Sequence, residues 1–212
     1  RPPKPQASVG IASNPTKIKK QPIKYESKIK LNKNKRKERY RLLINIKSRV
    51  NKGWPTGALK LLNQKNTKNL LDSVEIDQQK ELIAKGYFLA NKNKLAIRYA
   101  NEALNRSPEH VSFANWTAGL ASWRLNNFKQ AANYFENFAI ALYYDPWHQS
   151  SGSFWAARSY GELNKYQDVN FWLINAAKNP ETFYGRLSNK ILGIKNDVNW
   201  NKEKMNYDEE WS

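Results

Sequence analysis

One stretch of the chain decides the fold prediction, and it runs Val169-Asn-Phe-Trp-Leu-Ile-Asn-Ala-Ala-Lys-Asn-Pro-Glu-Thr-Phe-Tyr-Gly-Arg-Leu-Ser-Asn-Lys-Ile-Leu-Gly193. Apolar residues recur at helical spacing up to Ala177, Pro180 marks a corner, and a second helical pattern runs to Leu192. The stretch therefore predicts two helices joined by a short corner.

The same helical pattern repeats upstream. Trp116 and Phe154 are 38 residues apart, and Tyr99 and Tyr134 on the return helices are 35 apart. A period of roughly 35–38 residues with two helices per unit is typical of tetratricopeptide-like arrays. Because one helix pair cannot bury its apolar face alone, neighbouring pairs must stack. The fold class predicted is all-α, a superhelical array of antiparallel helix pairs with a concave inner surface.

The helix boundaries follow from the same pattern and from proline and polar corners. No β-strand pattern is found, and no apolar run approaches the ~20 residues that span a bilayer. A first helix is predicted to begin near Lys35. The later predicted helices cover residues 56–63, 76–90, 95–105, 111–125, 128–144, 153–163, 166–178 and 181–192.

The positive charge belongs to the N-terminal part of the chain. Residues 1–53 hold 17 Lys and Arg and two acids, whereas the whole chain carries a net charge of +18. Residues 1–24 are rich in proline and poor in large apolar residues, a composition that does not offset the entropy of ordering. We therefore predict a disordered, Pro/Lys-rich arm over residues 1–34 and a helical domain over residues 35–200.

Three interpretations of the basic arm stay open. It is a solvated linker, which we favour, a segment that lies along an anionic polymer, or a segment that binds anionic lipid. No recognised nucleic-acid motif accompanies the charge, so a nucleic-acid partner is not expected. The candidate contacts to an anionic polymer are Lys35, Arg36, Lys37, Arg39 and Arg41.

Eight tryptophans are many for 212 residues. At helical spacing such residues more often pack in a core than bind a ligand, and we favour core packing. The alternative is that some of them stack on the apolar C–H faces of sugar rings. The candidate contacts to a glycan or a partner are Trp116, Trp123, Trp155 and Tyr184.

The chain carries no motif for catalysis. It has no cysteine, and neither of its two histidines lies in a His-Glu-x-x-His motif, so we expect no metal and no cofactor. His148 is predicted to be a polar residue in a loop between repeats. Asp72, Glu75 and Asp77 lie close together where a helix begins, as acids that complement a helix N-terminus do. We therefore predict no catalytic residue in this chain.

Four blocks in order resemble the superhelical domain of bacterial soluble lytic murein transglycosylases, of the alphaproteobacterial type. The similarity covers about residues 40–200, and Trp172–Ala177 with Pro180–Gly185 is its most specific part. The blocks are Leu70–Asp77, Trp116–Leu125, Phe154–Tyr160, and Trp172–Ala177 followed by Pro180–Gly185.

The resemblance implies a periplasmic enzyme that cleaves cell-wall glycan without water. In that family a glutamic acid of a Glu-Ser motif protonates the leaving oxygen, and the muramic 6-hydroxyl closes a 1,6-anhydro ring. That glutamate lies in a lysozyme-like domain after the helical array. Here the only Glu followed by Ser is Glu26, in the basic arm. We expect residues 201–212 to begin a linker to a catalytic domain that this chain lacks.

Two functions of different classes remain. The first is the non-catalytic helical scaffold of a peptidoglycan lytic transglycosylase, which positions murein strands or a cell-wall protein partner. The second is a stand-alone tetratricopeptide-like adaptor that binds peptides or proteins in its groove.

Overall fold

The computed structural model describes residues 25–195, and over that range the protein contains nine α-helices and no β-strand. This confirms the all-helical array. Residues 1–24 of the predicted arm, the last residues of the predicted helical domain and the whole predicted linker lie outside the described range. The helices are α1 Lys33–Asn51, α2 Pro55–Leu62, α3 Ser73–Leu89, α4 Asn93–Leu104, α5 Ser112–Arg124, α6 Phe128–Ala141, α7 Pro146–Gly161, α8 Tyr166–Ala177 and α9 Phe183–Ile191. Two short 3₁₀ helices, Lys65–Asn69 and Pro108–His110, lie in the connections.

Three helix hairpins, α3–α4, α5–α6 and α7–α8, turn in the same way. An asparagine closes each turn in the left-handed conformation, with φ of 56° at Asn91, 56° at Asn126 and 55° at Asn164. The next main-chain N–H then bonds back to a carbonyl five residues earlier, as Lys92 N does to Tyr87 O at 2.8 Å. This is the Schellman ending of a helix, and asparagine is one of the few residues that tolerates it. The repeat is therefore built into the turns as well as into the helices.

Consecutive helices pack against each other throughout, and α3 also contacts α5 as α7 contacts α9. The interior of the first part is mainly aliphatic, built around Ile46, Leu62, Leu71 and Ile83, with the aromatic ring of Tyr87 among them. Further along the chain small residues allow close helix crossings. The fully buried alanines there are Ala100, Ala103, Ala114, Ala118, Ala121, Ala131, Ala132 and Ala156.

The last part of the predicted arm lies against α3. Residues 25–32 run without helix, and α1 begins at Lys33, two residues before the predicted start. The Tyr25 hydroxyl and the Lys28 main-chain N–H both donate to Asp72 Oδ2, at 2.8 and 2.9 Å. Ser27 Oγ donates to Glu75 Oε2 at 2.8 Å. Residues 25–32 are thus tied to the N-terminus of α3.

Helix α7 corrects the sequence prediction. It begins at Pro146, whereas the prediction began at residue 153 and placed His148 in a loop. Asp145 Oδ1 accepts hydrogen bonds from the main-chain N–H groups of Trp147 at 3.0 Å and His148 at 3.1 Å. Asp145-Pro146 directly follows the predicted helix 128–144 and is compatible with a helix end, but an N-cap aspartate followed by proline also starts a helix, as it does here. Both predictions were wrong for that reason.

Among the helices of residues 25–195, none is both long enough and apolar enough to cross a membrane.

Gly152 provides a test of the α6–α7 packing. A Cβ at Gly152 would lie 2.9 Å from Ala139 N and 3.0 Å from Ala139 Cα, which are backbone atoms of α6. We expect Gly152→Ala to lower the free energy of unfolding by about 1–3 kcal/mol through overpacking. Urea denaturation followed by circular dichroism measures this.

Gly161→Ala is the matched control on the same helix. A Cβ at Gly161 would meet only Val169 Cγ2, at 4.0 Å, so we expect this change to be neutral or to stabilise by up to about 1 kcal/mol. Equal effects of the two substitutions would contradict the close crossing.

Candidate functional site

Helices α5, α7 and α9 bring the four predicted aromatic contacts together. The Trp155 ring of α7 meets Trp123 of α5 edge-on at a centroid distance of 5.4 Å and Trp116 at 6.4 Å. Trp155 Nε1 donates a hydrogen bond to the Tyr184 hydroxyl of α9 at 3.2 Å. We call these four residues, Trp116, Trp123, Trp155 and Tyr184, the aromatic cluster.

The spacing of these residues explains why they meet. Trp116 and Trp123 are seven residues apart, which places both indoles on one face of α5 two turns apart. All four residues of the cluster are half-buried. On the inner side the indoles pack against the buried Phe135 and Ala156. The cluster therefore combines core packing with a partly exposed aromatic surface.

Arg158 lies on top of the aromatic cluster. Its guanidinium carbon is 4.6 Å from the Trp155 ring centroid and 5.0 Å from that of Trp123, and the residue is exposed. A planar guanidinium on indole faces gains cation–π attraction and keeps its N–H donors available at its edge. Sequence reasoning did not single out Arg158, although it follows Trp155 by three residues and shares its helix face.

The carboxylate of Glu136 lies beside the cluster, and one of its oxygens accepts hydrogen bonds from two aromatic side chains. Glu136 Oε1 of α6 accepts hydrogen bonds from the Tyr160 hydroxyl at 2.7 Å and from Trp172 Nε1 at 2.8 Å. Burial raises the pKa of Tyr160, and the hydrogen bond to Glu136 and its charge raise it further. Glu136 thus joins α6, α7 and α8, and this arrangement suits a structural tie better than an acid catalyst.

The acids noted in the sequence hold the fold together. Asp72 and Glu75 form a capping box at the start of α3, and Glu75 also pairs with Arg39. Burial opposes ionisation of Asp72, but the hydrogen bonds from the N–H groups of Glu75 and Lys28 outweigh it and lower the pKa of Asp72. Asp77 is fully buried and accepts hydrogen bonds from Arg106 and from Ser107 Oγ, the latter at 2.7 Å.

The structure separates the five basic candidates into two kinds. Lys35, Arg36, Lys37 and Arg41 are exposed along α1, whereas Arg39 is half-buried in its ion pair with Glu75. Four of the five side chains are therefore accessible, and Arg39 takes part in an internal contact.

Sequence reasoning missed Glu81 of α3. Its Oε1 accepts a hydrogen bond from Ala114 N at 2.8 Å, at the start of α5, where Val111 offers no side-chain cap. Burial raises the pKa of Glu81 to about 7, against the lowering effect of the Ala114 and Phe113 N–H groups. Its position one turn after Asp77 on α3 was the available signal.

His148 and the remaining carboxylates do not form a metal site. His148 Nδ1 lies 2.7 Å from Asp145 Oδ2, and its ring packs edge-on against Phe113 at 5.0 Å. Within the part of the chain that the structure describes, no three His, Cys, Asp or Glu side chains come together as metal ligands would.

No family model, no curated protein and no solved structure matches this chain.

Glu81 predicts a pH dependence of stability. Because its folded pKa of about 7 exceeds the ordinary 4.5, the folded state binds more protons between these values, and stability falls as the pH rises through them. Glu81→Gln keeps an acceptor oxygen without the charge. We expect the variant to gain on the order of 1–2 kcal/mol relative to wild type between pH 4.5 and pH 8.

Urea denaturation at a series of pH values measures this difference. The exposed Glu162→Gln is the control, and its difference from wild type should stay constant. A pH-independent difference for Glu81→Gln would contradict the assignment.

Proposed function

We propose that this chain is the non-catalytic helical scaffold of a bacterial peptidoglycan lytic transglycosylase, acting in the periplasm. In this proposal it positions murein glycan strands, or a cell-wall protein partner, for cleavage by a catalytic domain. The support from the sequence is the ordered set of four blocks that resemble the superhelical domain of that family. The support from the structure is a surface suited to sugars.

The observation that carries the proposal is the stack of Arg158 on Trp123 and Trp155. Sugar rings have apolar C–H faces that pack on indoles, and they have hydroxyl and acetamido groups that need polar partners. The half-buried indoles provide the first kind of contact. The exposed guanidinium provides donors for acetamido carbonyls and for the carboxylates of peptide stems. Both are held on α5 and α7, so the surface is rigid.

The neighbouring chemistry supports a passive role. Protonation of a glycosidic oxygen needs a carboxylic acid that is free to approach the leaving group. Glu136 Oε1 already holds two donors, from Tyr160 and Trp172. Glu81, whose pKa is raised, accepts hydrogen bonds from the main chain of α5.

Binding to purified murein sacculi tests the role of the aromatic cluster. One stacked ring is worth about 1–1.5 kcal/mol, so we expect Trp123→Ala to weaken sacculus binding roughly tenfold. Co-sedimentation at high salt measures it, because high salt suppresses binding through the basic arm. Arg158→Gln leaves the rings in place and should also weaken binding, by about threefold.

Trp147→Ala is the matched control. This indole is 60% exposed at the start of α7 and lies outside the cluster, so its loss should change the affinity less than about twofold. Equal losses in Trp123→Ala and Trp147→Ala would contradict glycan binding at the cluster.

We further expect the purified 212-residue chain to release no anhydromuropeptides from sacculi, since Oε1 of Glu136, the carboxylate beside the cluster, already accepts two hydrogen bonds within the fold. Chromatography of the soluble products measures this. Release of anhydromuropeptides that persists in repeated preparations would show an active site in the chain itself.

A groove between α6 and α8 favours the second function, a peptide-binding adaptor. Its volume is about 410 Å³. It is lined by the exposed Ile140, Tyr143 and Phe171 together with Trp172. Under the scaffold function Phe171→Ser leaves sacculus binding unchanged. A loss of binding in Phe171→Ser but not in Trp123→Ala would favour the groove instead.

A further inference from the structure

A second cleft lies near the N-terminal end of the described residues, between residues 27–31 and the first turns of α1. Its volume is about 390 Å³, and it is lined by Ser27, Ile29, Lys30, Leu31, Arg36 and Arg39. Three of these six residues are cationic, and none is acidic. The cleft exists because Tyr25, Ser27 and Lys28 hold residues 25–31 on Asp72 and Glu75.

The charges around this cleft are only partly compensated, because Arg39 pairs with Glu75 whereas Lys30 and Arg36 form no ion pair in the described part of the chain. The first turn of α1 contains no acid, and Lys33, Lys35 and Arg36 stand at its positive end. Positive side chains in the first turn are unfavourable, because the N-terminal end of a helix dipole is itself positive. Residues that disfavour the local structure, such as cations at a helix N-terminus, are expected where the chain serves a function.

The hydrogen bonds of the cleft leave donors free for a ligand. Arg36 Nε donates to Leu31 O at 2.9 Å, and its terminal nitrogens make no further hydrogen bond in the described part of the chain. Arg39 pairs with Glu75 through Nη2, but its Nε is buried and makes no hydrogen bond within residues 25–195. The exposed Lys30 forms no ion pair there either.

We propose that this cleft binds a phosphate group of a linear, phosphate-bearing polymer. The guanidinium fork of Arg36 matches two oxygens of a tetrahedral oxyanion, and Lys30 adds a point charge. Two cations without a carboxylate partner suit an oxyanion with several acceptor oxygens better than a single carboxylate. This site is separate from the aromatic cluster and does not depend on the glycan-binding proposal.

The exposed cations beyond the cleft indicate a polymer. Lys35, Lys37 and Arg41 continue along α1 outside the cleft, so neighbouring phosphates of one chain would meet further charges. A membrane surface fits less well, because the apolar face of α1 is already buried through Leu42, Ile46 and Val50.

A nucleic acid also fits less well. The cleft is lined by the aliphatic Ile29 and Leu31 and by no aromatic ring on which a base could stack. The ring of Tyr25 packs against His110 at 4.9 Å instead.

Isothermal titration calorimetry with long-chain inorganic polyphosphate tests the proposal on the whole 212-residue chain. We expect polyphosphate to bind more tightly than orthophosphate or polyglutamate, with an affinity that falls as salt rises. The double variant Lys30→Gln, Arg36→Gln should weaken binding about tenfold and reduce the slope of log affinity against log salt by about one to two. Arg36→Lys, which keeps the charge and loses the fork, should weaken it about threefold.

The matched control is Lys129→Gln, Lys190→Gln, which removes two exposed cations from α6 and α9. It should change the affinity less than about twofold. Circular dichroism checks that each variant keeps its helices, and Arg36→Lys tests the site even if the double variant unfolds.

Three results would overturn the proposal. The first is an equal loss in the two double variants, which would mean diffuse attraction by net charge. The second is polyglutamate binding as tightly as polyphosphate. The third is tighter binding, with the same dependence on Lys30 and Arg36, to phosphatidylglycerol vesicles or to a single-stranded oligonucleotide.

Discussion

The position of α5 against α3 depends on two carboxylates of α3. Asp77, which is fully buried, binds Arg106 and Ser107 in the connection before α5, and Glu81 one turn later binds the first amides of α5. A buried carboxylate is stable only when its lone pairs are hydrogen-bonded, so α5 cannot shift along α3 without breaking these contacts. The direction in which Trp116 and Trp123 point follows from that position.

The aromatic cluster serves packing and surface at the same time. The Trp155 ring packs against Phe135 at a centroid distance of 5.6 Å, and the Arg158 guanidinium carbon lies 4.6 Å from the centroid of the same ring. Between α3 and α5, alanines allow close contact, whereas α5 and α7 meet through indole rings. Indole rings hold the two helices apart, so the edges of the rings stay partly exposed. This is how a region that stabilises the array also presents a partly exposed aromatic surface.

Much of the architecture was predictable because it repeats. The hairpins were predicted from the 38-residue spacing of Trp116 and Phe154 and from the polar corners. Asn126 and Asn164, which adopt the left-handed conformation, lie in those corners. The start of α7 was not predicted, because Asp145-Pro146 is compatible with both a helix end and a helix start. Glu81 was missed because an acid on a helix face is ordinarily solvated, and only the position of α5 buries it.

The sequence by itself determined that this protein is a chain of paired helices with a basic N-terminal part, because helical periodicity, turn residues and net charge are local properties. Only the tertiary structure decided that Trp116, Trp123, Trp155 and Tyr184 meet in one cluster and that Arg158 covers it. It also decided that residues 25–31 and α1 enclose a basic cleft. Such contacts join residues distant in the chain, and their geometry depends on how the hairpins pack rather than on any local pattern.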